Sequence, residues 1–491
     1  MTLLPIKLPP GVYKNGTELD AAGRWFDANL VRWVEGITRP VGGWQARTTT
    51  TLTGMPRSML AWRDNNGARQ IAVGTHSKLY NTTQSSIVYD ITPVGFSAGN
   101  ADATVGGGYG TGVYGSEYYG SPRADVGTVT PATTWTLDTW GEYLVGCSNF
   151  DGKIYEWQLN TATPAAQVTN APTGNTAILV SNERSLFALG AGGNPRRVSW
   201  SDLEDNTTWT PSSTNLAGSL DLQTGGEIIV AKRVRGQILV LTDIDAHVIS
   251  YVGQPFVYQA EYVGRACGVP GPNAIAVQDN FAVWMSTRGF FTYDGYIKPL
   301  PCEVSGHVFT DINTAQLSKV YAINNSQFNE VWWFYPSASS QENDKYVVWN
   351  YADNYWTIGS MARFAGTDRG VYSNPIFIGA NGILYDHEFG TNHDGDSVFV
   401  ESGPIQIGNG DNIYYVNELI PDERNQGDVT ATFYSRYYPN STQRSYGPYS
   451  MTNPTSVRFN GRQVNMRLTA TANTDWRVGA MRLNAAPGGR R

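Results

Sequence analysis

Cysteine, charge and long apolar runs are all scarce in this chain. Its 491 residues include three cysteines, Cys147, Cys267 and Cys302. They lie far apart and match no C-x-x-C metal spacing. They read as buried or half-buried thiols of a protein folded in a reducing compartment. No stretch approaches the roughly 20 apolar residues that a spanning helix needs. The N-terminus, MTLLPIKLPP, lacks the charged start and apolar core of a signal peptide. The expectation is synthesis in a cytoplasm, followed by a soluble existence or entry into an assembly. Only 16% of residues are charged, and no segment carries a sustained apolar stripe of period 3.6, so very little helix is expected. There is no G-x-x-x-x-G-K-[ST] phosphate loop and no G-x-S-x-G nucleophile elbow.

What is abundant points to strands and turns. The chain has 53 Gly, 25 Pro and 12% aromatic residues, a composition that suits short β-strands closed by turns. Phe281 to Asp294 reads FAVWMSTRGFFTYD, an apolar run, a polar turn and a tyrosine-ended strand, and Ile376 to Asp386, IFIGANGILYD, repeats it. Between them, EVWWFY (330–335) and YVVWNY (346–351) flank the loop 336–345. Such runs are strand signals, and Asn381-Gly382 is a favoured hairpin turn because both residues tolerate positive φ. Earlier units are Ser58 to Tyr89, Thr134 to Trp157 with Asp151-Gly152, Ala177 to Trp200, and Glu227 to Val252 with Arg235-Gly236. A lone hairpin cannot bury both faces, whereas hairpins repeated around an axis bury each against the next. The expected fold is all-β: a β-propeller of six or seven blades followed by a C-terminal β-sandwich.

The expected domains are 1–56, an N-terminal arm and strands that close the propeller; 57–395, the propeller with a Gly/Tyr-rich insertion at 94–131; and 396–491, a sandwich ending in a flexible basic tail. Alternation in QVNMRL (463–468) predicts half-buried strands there. The insertion contains GGGYGTGVYGSEYYGSPR (106–123) and so a formal G-x-G-x-x-G at Gly110, Gly112 and Gly115. No buried strand precedes it and no helix follows, so a dinucleotide loop is discarded. The segment reads either as an aromatic contact surface, with Tyr109, Tyr114, Tyr118 and Tyr119 as protein-interface residues, or as a disordered insertion.

Charge is divided unevenly. From Ser397 onward there are ten Arg, no Lys and seven acidic residues, a balance of +3. The whole chain has 35 basic and 42 acidic residues, so the remainder stands at 25 − 35 = −10. An acidic body argues against a sequence-independent grip on duplex DNA, which needs Lys and Arg on phosphates. It is compatible with a surface past which DNA slides. The Arg and Tyr of the last region suit contacts to other protein chains, though a general shortage of lysine would produce the same bias.

Candidate chemistry is thin. His76, His247, His307, His387 and His393 show no i, i+4 pairing and read as surface or turn residues. Asn392, Asp394 and Asp396 alternate like the start of a calcium loop. Its sixth and twelfth positions hold Ser397 and Gly403 where Gly and Glu are required. Acids cluster at Asp202, Glu204 and Asp205 and at Asp243 and Asp245, where turn capping is the usual role. No catalytic, cofactor-binding or metal-binding residue is assigned, and the chain is expected not to be an enzyme.

Several stretches resemble a family of virion proteins from short-tailed phages: GRWFDANLVRWVEGITRPVGGW (23–44), SWSDLEDNTTW (199–209), STRGFFTYDGYIKPLPCEV (286–304), FNEVWWFYPS (328–337), NGILYDHEFG (381–390) and WRVGAMRLNAAPGGRR (476–491). The chain looks like the tail hub or nozzle component, similar in role to packaged-DNA stabilisation proteins. The resemblance implies a virion tail protein made in the host cytoplasm, without cofactor, that assembles as a homo-hexameric ring. Its implied partners are the tail adaptor above it and tail fibres or spikes. Double-stranded DNA would be retained and then passed without sequence-specific binding. Alternatives from the residues alone are a host-glycan-binding or glycan-cleaving propeller, or another tail-fibre or head-associated structural protein.

Overall fold

The computed structural model describes residues 2–105, 129–406, 410 and 412–489. Seven four-stranded antiparallel sheets follow one another along the chain: blade 1 (56–90), blade 2 (135–167), blade 3 (177–221), blade 4 (228–265), blade 5 (275–300), blade 6 (321–360) and blade 7. The first strands of successive blades are neighbours and line a central channel, and the ring closes from blade 7 to blade 1. Blade 7 takes three strands from 363–387 and its fourth from the other end of the chain. That fourth strand is β5 (Trp44–Ala46), which pairs Trp44 with His387 and Ala46 with Tyr385. All seven sequence units are therefore blades, and the count is seven.

Turn chemistry sets the blade hairpins. Arg235 and Gly236 are both left-handed, with φ 54° and 77°, the type I′ geometry whose twist matches the strands it joins. Asn381-Gly382 differs from expectation: Gly382 alone has positive φ, and Asn381 instead accepts the Ile383 N–H on its side chain at 3.2 Å. Aromatic rings fill the space between blades. Phe290 of blade 5 lies 5.0 Å from Trp333 and 4.7 Å from Trp356 of blade 6, centroid to centroid. All three are nearly inaccessible to water, and burying each contributes on the order of 1.5–3 kcal/mol. Helix is scarce as expected, with one short α-helix among the described residues, α1 (Ser305–Asp311).

The sandwich is made from both ends of the chain. One sheet runs β1 (Thr2–Ile6), Met481–Pro487, Tyr414–Ile420, Thr455–Gly461. The other runs β2 (Trp25–Asn29), Phe399–Ser402, Gln463–Ala470, Val429–Arg436, Arg444–Ser450. Within residues 1–56, then, β5 closes the propeller while β1 and β2 belong to the sandwich. Between them, Glu35 and Gly36 turn the hairpin of β3 (Val31–Val34) and β4 (Ile37–Pro40). The intervening arm crosses the outer strand of blade 6, where the Val12 N–H meets the Trp356 carbonyl at 2.7 Å.

The arm also explains a departure from alternation. Gln463 to Met466 are all buried, although alternation predicts one face in water. The short turn Glu18–Ala21 covers the outer side of that strand. Its Glu18 carboxylate accepts from Asn465 Nδ2 at 2.6 Å and from Arg436 at 2.7 Å.

Candidate functional site

The insertion that leaves blade 1 at Asp90 does not pass directly to blade 2; its base is tied to blade 6. The Ala103 N–H donates to Gln316 Oε1 at 2.9 Å, and Gln316 Nε2 returns to the Ala103 carbonyl at 3.1 Å. Lys319 Nζ reaches Asp102 Oδ1 at 2.5 Å, the Gln341 carbonyl at 2.7 Å and Glu342 Oε1 at 3.1 Å. Thr104–Val105 then pairs antiparallel with Val129–Thr130, so the two ends of the insertion leave side by side. Tyr109, Tyr114, Tyr118 and Tyr119 lie between these strands, outside the described residues, as do Gly110, Gly112 and Gly115.

The same network closes one mouth of the channel. Arg57, at the start of the innermost strand of blade 1, grips both Glu342 oxygens at 2.7 and 2.6 Å and donates to the Ala101 carbonyl at 2.6 Å. Asn273, entering blade 5, donates to the Arg57 carbonyl at 2.8 Å, although blades 6 and 7 separate the two around the ring. The Lys319 side chain is 0% exposed. Stripping an ammonium of water costs several kcal/mol unless opposite charge and hydrogen bonds replace the lost hydration. Here two cations, Arg57 and Lys319, meet two anions, Asp102 and Glu342. The cluster is charge-balanced and rigid, suited to holding backbone in place. Sequence reasoning missed it because its members are scattered, with Arg57 and Glu342 285 positions apart.

A second buried cluster locks the β3–β4 hairpin to the propeller. Arg32 of β3 meets Glu330 of blade 6 at 2.9 and 2.8 Å and Glu388 at the end of blade 7 at 2.8 and 2.6 Å, with its guanidinium 3.7 Å above the Phe328 ring. Burial opposes ionisation of Glu388, yet Arg32, Asn325 and the Gly42 N–H hold its carboxyl below its ordinary value. Burial acts to lower the Arg32 pKa, and the two carboxylates more than reverse that and raise it.

The acids flagged in the sequence serve turns. Hydrogen bonds from Thr207 and Thr208 lower the Asp205 pKa. Asp202 accepts the Leu203 and Leu216 N–H groups at 2.8 Å each. Asp243 accepts the Glu227 N–H at 2.7 Å, and Asp245 accepts the Thr242 hydroxyl at 2.6 Å. Both also border a cleft of about 780 Å³ between blades 4 and 5, with Arg265 beside Asp245 on blade 4 and Ser286, Thr287 and Arg288 on blade 5. Asp394 accepts the Trp44 indole N–H at 2.6 Å, and Asn392 is bonded to Asp394 and Asn473. Among the described residues no group of three His, Cys, Asp or Glu is placed to hold a metal ion.

Histidines depart from the surface reading. His247, His387 and His393 are buried. His387 accepts from Arg363 Nε at 2.9 Å and stacks on Trp44, while His393 pairs with the Val41 carbonyl at 2.9 Å. Cys147 and Cys267 are buried and Cys302 half-buried, all free thiols. Burial pushes Cys267 up to about 11 and Cys302 up to about 12, so both stay protonated at neutral pH and are poor nucleophiles.

No protein-family model and no curated protein sequence matches the chain. Among solved structures it is similar to virginiamycin B lyase from Staphylococcus aureus, at 9% identity over 70% of this chain and 98% of that one, with a TM-score of 0.43. It is also similar to the N-terminal domain of Nup159, at 10% identity over 74% of this chain and 98% of that one, TM-score 0.39. YCF48 bound to D1 peptide is a third, at 10% identity over 71% and 97%, TM-score 0.37. These are β-propeller proteins of other functions. At this identity the likeness concerns the arrangement of strands and says nothing of activity. No helix among the described residues is long and apolar enough to cross a membrane.

Proposed function

We propose that this chain is a structural subunit of a short-tailed phage tail, in the nozzle or hub position, and that copies of it form a ring extending the DNA channel. The observation that carries the reading is the closed propeller mouth. With Asn273 bonded to Arg57 across the axis, one mouth of the propeller channel is bridged, so in this reading DNA runs between copies rather than through a propeller. The buried ion clusters of Arg32 and Lys319 join segments far apart in the chain. They suit a wall that has to hold its shape against packaged DNA. The balance of −10 outside the last region would repel phosphates and let DNA slide.

In this reading the chain catalyses nothing, and the insertion with Tyr109, Tyr114, Tyr118 and Tyr119 faces a neighbouring copy, the adaptor or a fibre. Gold labelling of an affinity tag on this chain in intact virions tests the position. Label at the distal end of the tail supports the nozzle assignment. Label on the capsid shell or along the fibres would overturn it in favour of another structural component.

A further inference from the structure

We propose that the sandwich carries a binding cleft for an acidic saccharide, a pyranose ring bearing a carboxylate. The proposal stands apart from the ring reading above. The cleft, about 650 Å³, opens at one end of the sandwich where Tyr415 and Asn460 of one sheet meet the 437–444 segment of the other. Its volume falls within the range of small-ligand sites, roughly 300–1,000 Å³.

Two tyrosine rings stand in water beside it, Tyr415 at 54% and Tyr438 at 60% exposure, and both are held in place. Tyr415 lies over Gly488, where an added Cβ would come within 2.5 Å of the ring. Tyr438 belongs to a turn closed by Ser441, whose hydroxyl donates to the Tyr438 carbonyl at 2.7 Å, and the Arg462 guanidinium sits 5.2 Å from the Tyr438 ring centroid. Rigid tyrosines give contact area at small cost in side-chain entropy. Their faces suit the C–H face of a pyranose, and the polar groups around them suit its hydroxyls.

The polar groups are poised. The Tyr437 hydroxyl donates to Asn460 Oδ1 at 3.0 Å, which fixes the amide and leaves Nδ2 without a partner among the described residues. Arg444, exposed at the cleft, forms no ion pair or side-chain hydrogen bond among the described residues. A free guanidinium fork matches a carboxylate bidentately. The surrounding region, at +3 against −10 for the rest of the chain, draws anions toward this end.

The test is binding of the full chain to oligosialic acid and oligogalacturonate, with maltooligosaccharide as the neutral control, by calorimetry or saturation-transfer NMR. The expected result is at least tenfold tighter binding of a carboxylated probe than of the neutral one. Tyr438→Ala and Arg444→Gln should each weaken it at least tenfold while the unfolding temperature stays unchanged. Failure of both acidic probes to bind at millimolar concentration, equal binding of the neutral probe, or indifference to both substitutions would overturn the proposal. So would a change in the chain's mass in solution caused by Tyr438→Ala without loss of saccharide binding, which would make the cleft a contact between copies.

Discussion

Asn273 of blade 5 donates its side-chain N–H to the backbone carbonyl of Arg57 in blade 1, 2.8 Å away across the axis of a seven-bladed ring. Around that bond the buried Lys319 and the largely buried Glu342, with the exposed Asp102, complete a charge-balanced knot that also anchors the base of the 94–131 insertion. The channel mouth and the base of the insertion are thus tied together.

Substituting Lys319 by Met leaves Glu342 and Asp102 facing a mouth with one cation fewer. Removing one partner of a buried ionic cluster costs about 3–5 kcal/mol. Urea unfolding should show a loss of that order. Limited proteolysis should cut within 94–131 faster than in the native chain, because the brace on Asp102 and Ala103 is weakened.

Arg32→Met removes the cation shared by Glu330 and Glu388 and leaves two carboxylates buried together. A loss of about 3 kcal/mol or more is expected in urea unfolding. Arg32→Lys keeps the charge but cannot grip both carboxylates in forks or lie flat on Phe328, so it should recover only part of the loss.

Acid should weaken the fold through its buried histidines. Burial, with Arg363 and His393 nearby, holds His387 well below its ordinary 6.5, so the folded chain keeps it neutral. The unfolded chain takes up that proton as pH falls below about 6.5, and the folded chain does so only at lower pH. The contribution is therefore fully present above pH ~6.5 and declines on acidification, by up to about 1.4 kcal/mol per pH unit for this group. His76, His247 and His307 are lowered in the same direction, chiefly by burial. Thermal unfolding midpoints should fall from pH 7.5 to pH 5.5; a flat profile over that range would contradict the assignment.

Gly11 has φ 94° and lies where an added Cβ would meet Tyr355 Cβ at 2.8 Å. Gly11→Ala should lift the arm from blade 6 and destabilise the chain by about 2 kcal/mol. Hydrogen exchange should rise at the Val12 N–H, which is bonded to Trp356.

Deleting 106–128 and joining the paired strands at 105 and 129 should leave the unfolding temperature within a few degrees of the native value while impairing tail assembly. Infectious particles at normal yield would remove the insertion from any contact role.

The blades were legible because each carries apolar runs of strand length, helped in some by an Asp-Gly or Arg-Gly turn or a closing tyrosine. The number seven was less so. Blade 7 looks one strand short until Trp44 to Ala46 arrives from the other end of the chain, and pairing over such a separation leaves no local mark. The sandwich is visible in its C-terminal strands, while β1 and β2 read on sequence as arm and propeller, because alternation does not say which sheet a strand joins. His387 follows the tyrosine-ended strand ILYD and on sequence reads as a surface or turn residue; only the tertiary meeting of Trp44 and Arg363 buries it. Arg57, Asn273, Lys319 and Glu342 are each unremarkable polar residues in sequence, and the fold alone brings them together.

The central claim is most directly tested by light-scattering mass and negative-stain imaging of the purified chain, alone and with the other tail proteins. The account predicts a six-fold ring with a central opening between copies, forming either alone or on the adaptor. A stable monomer that ignores every other tail protein would contradict it.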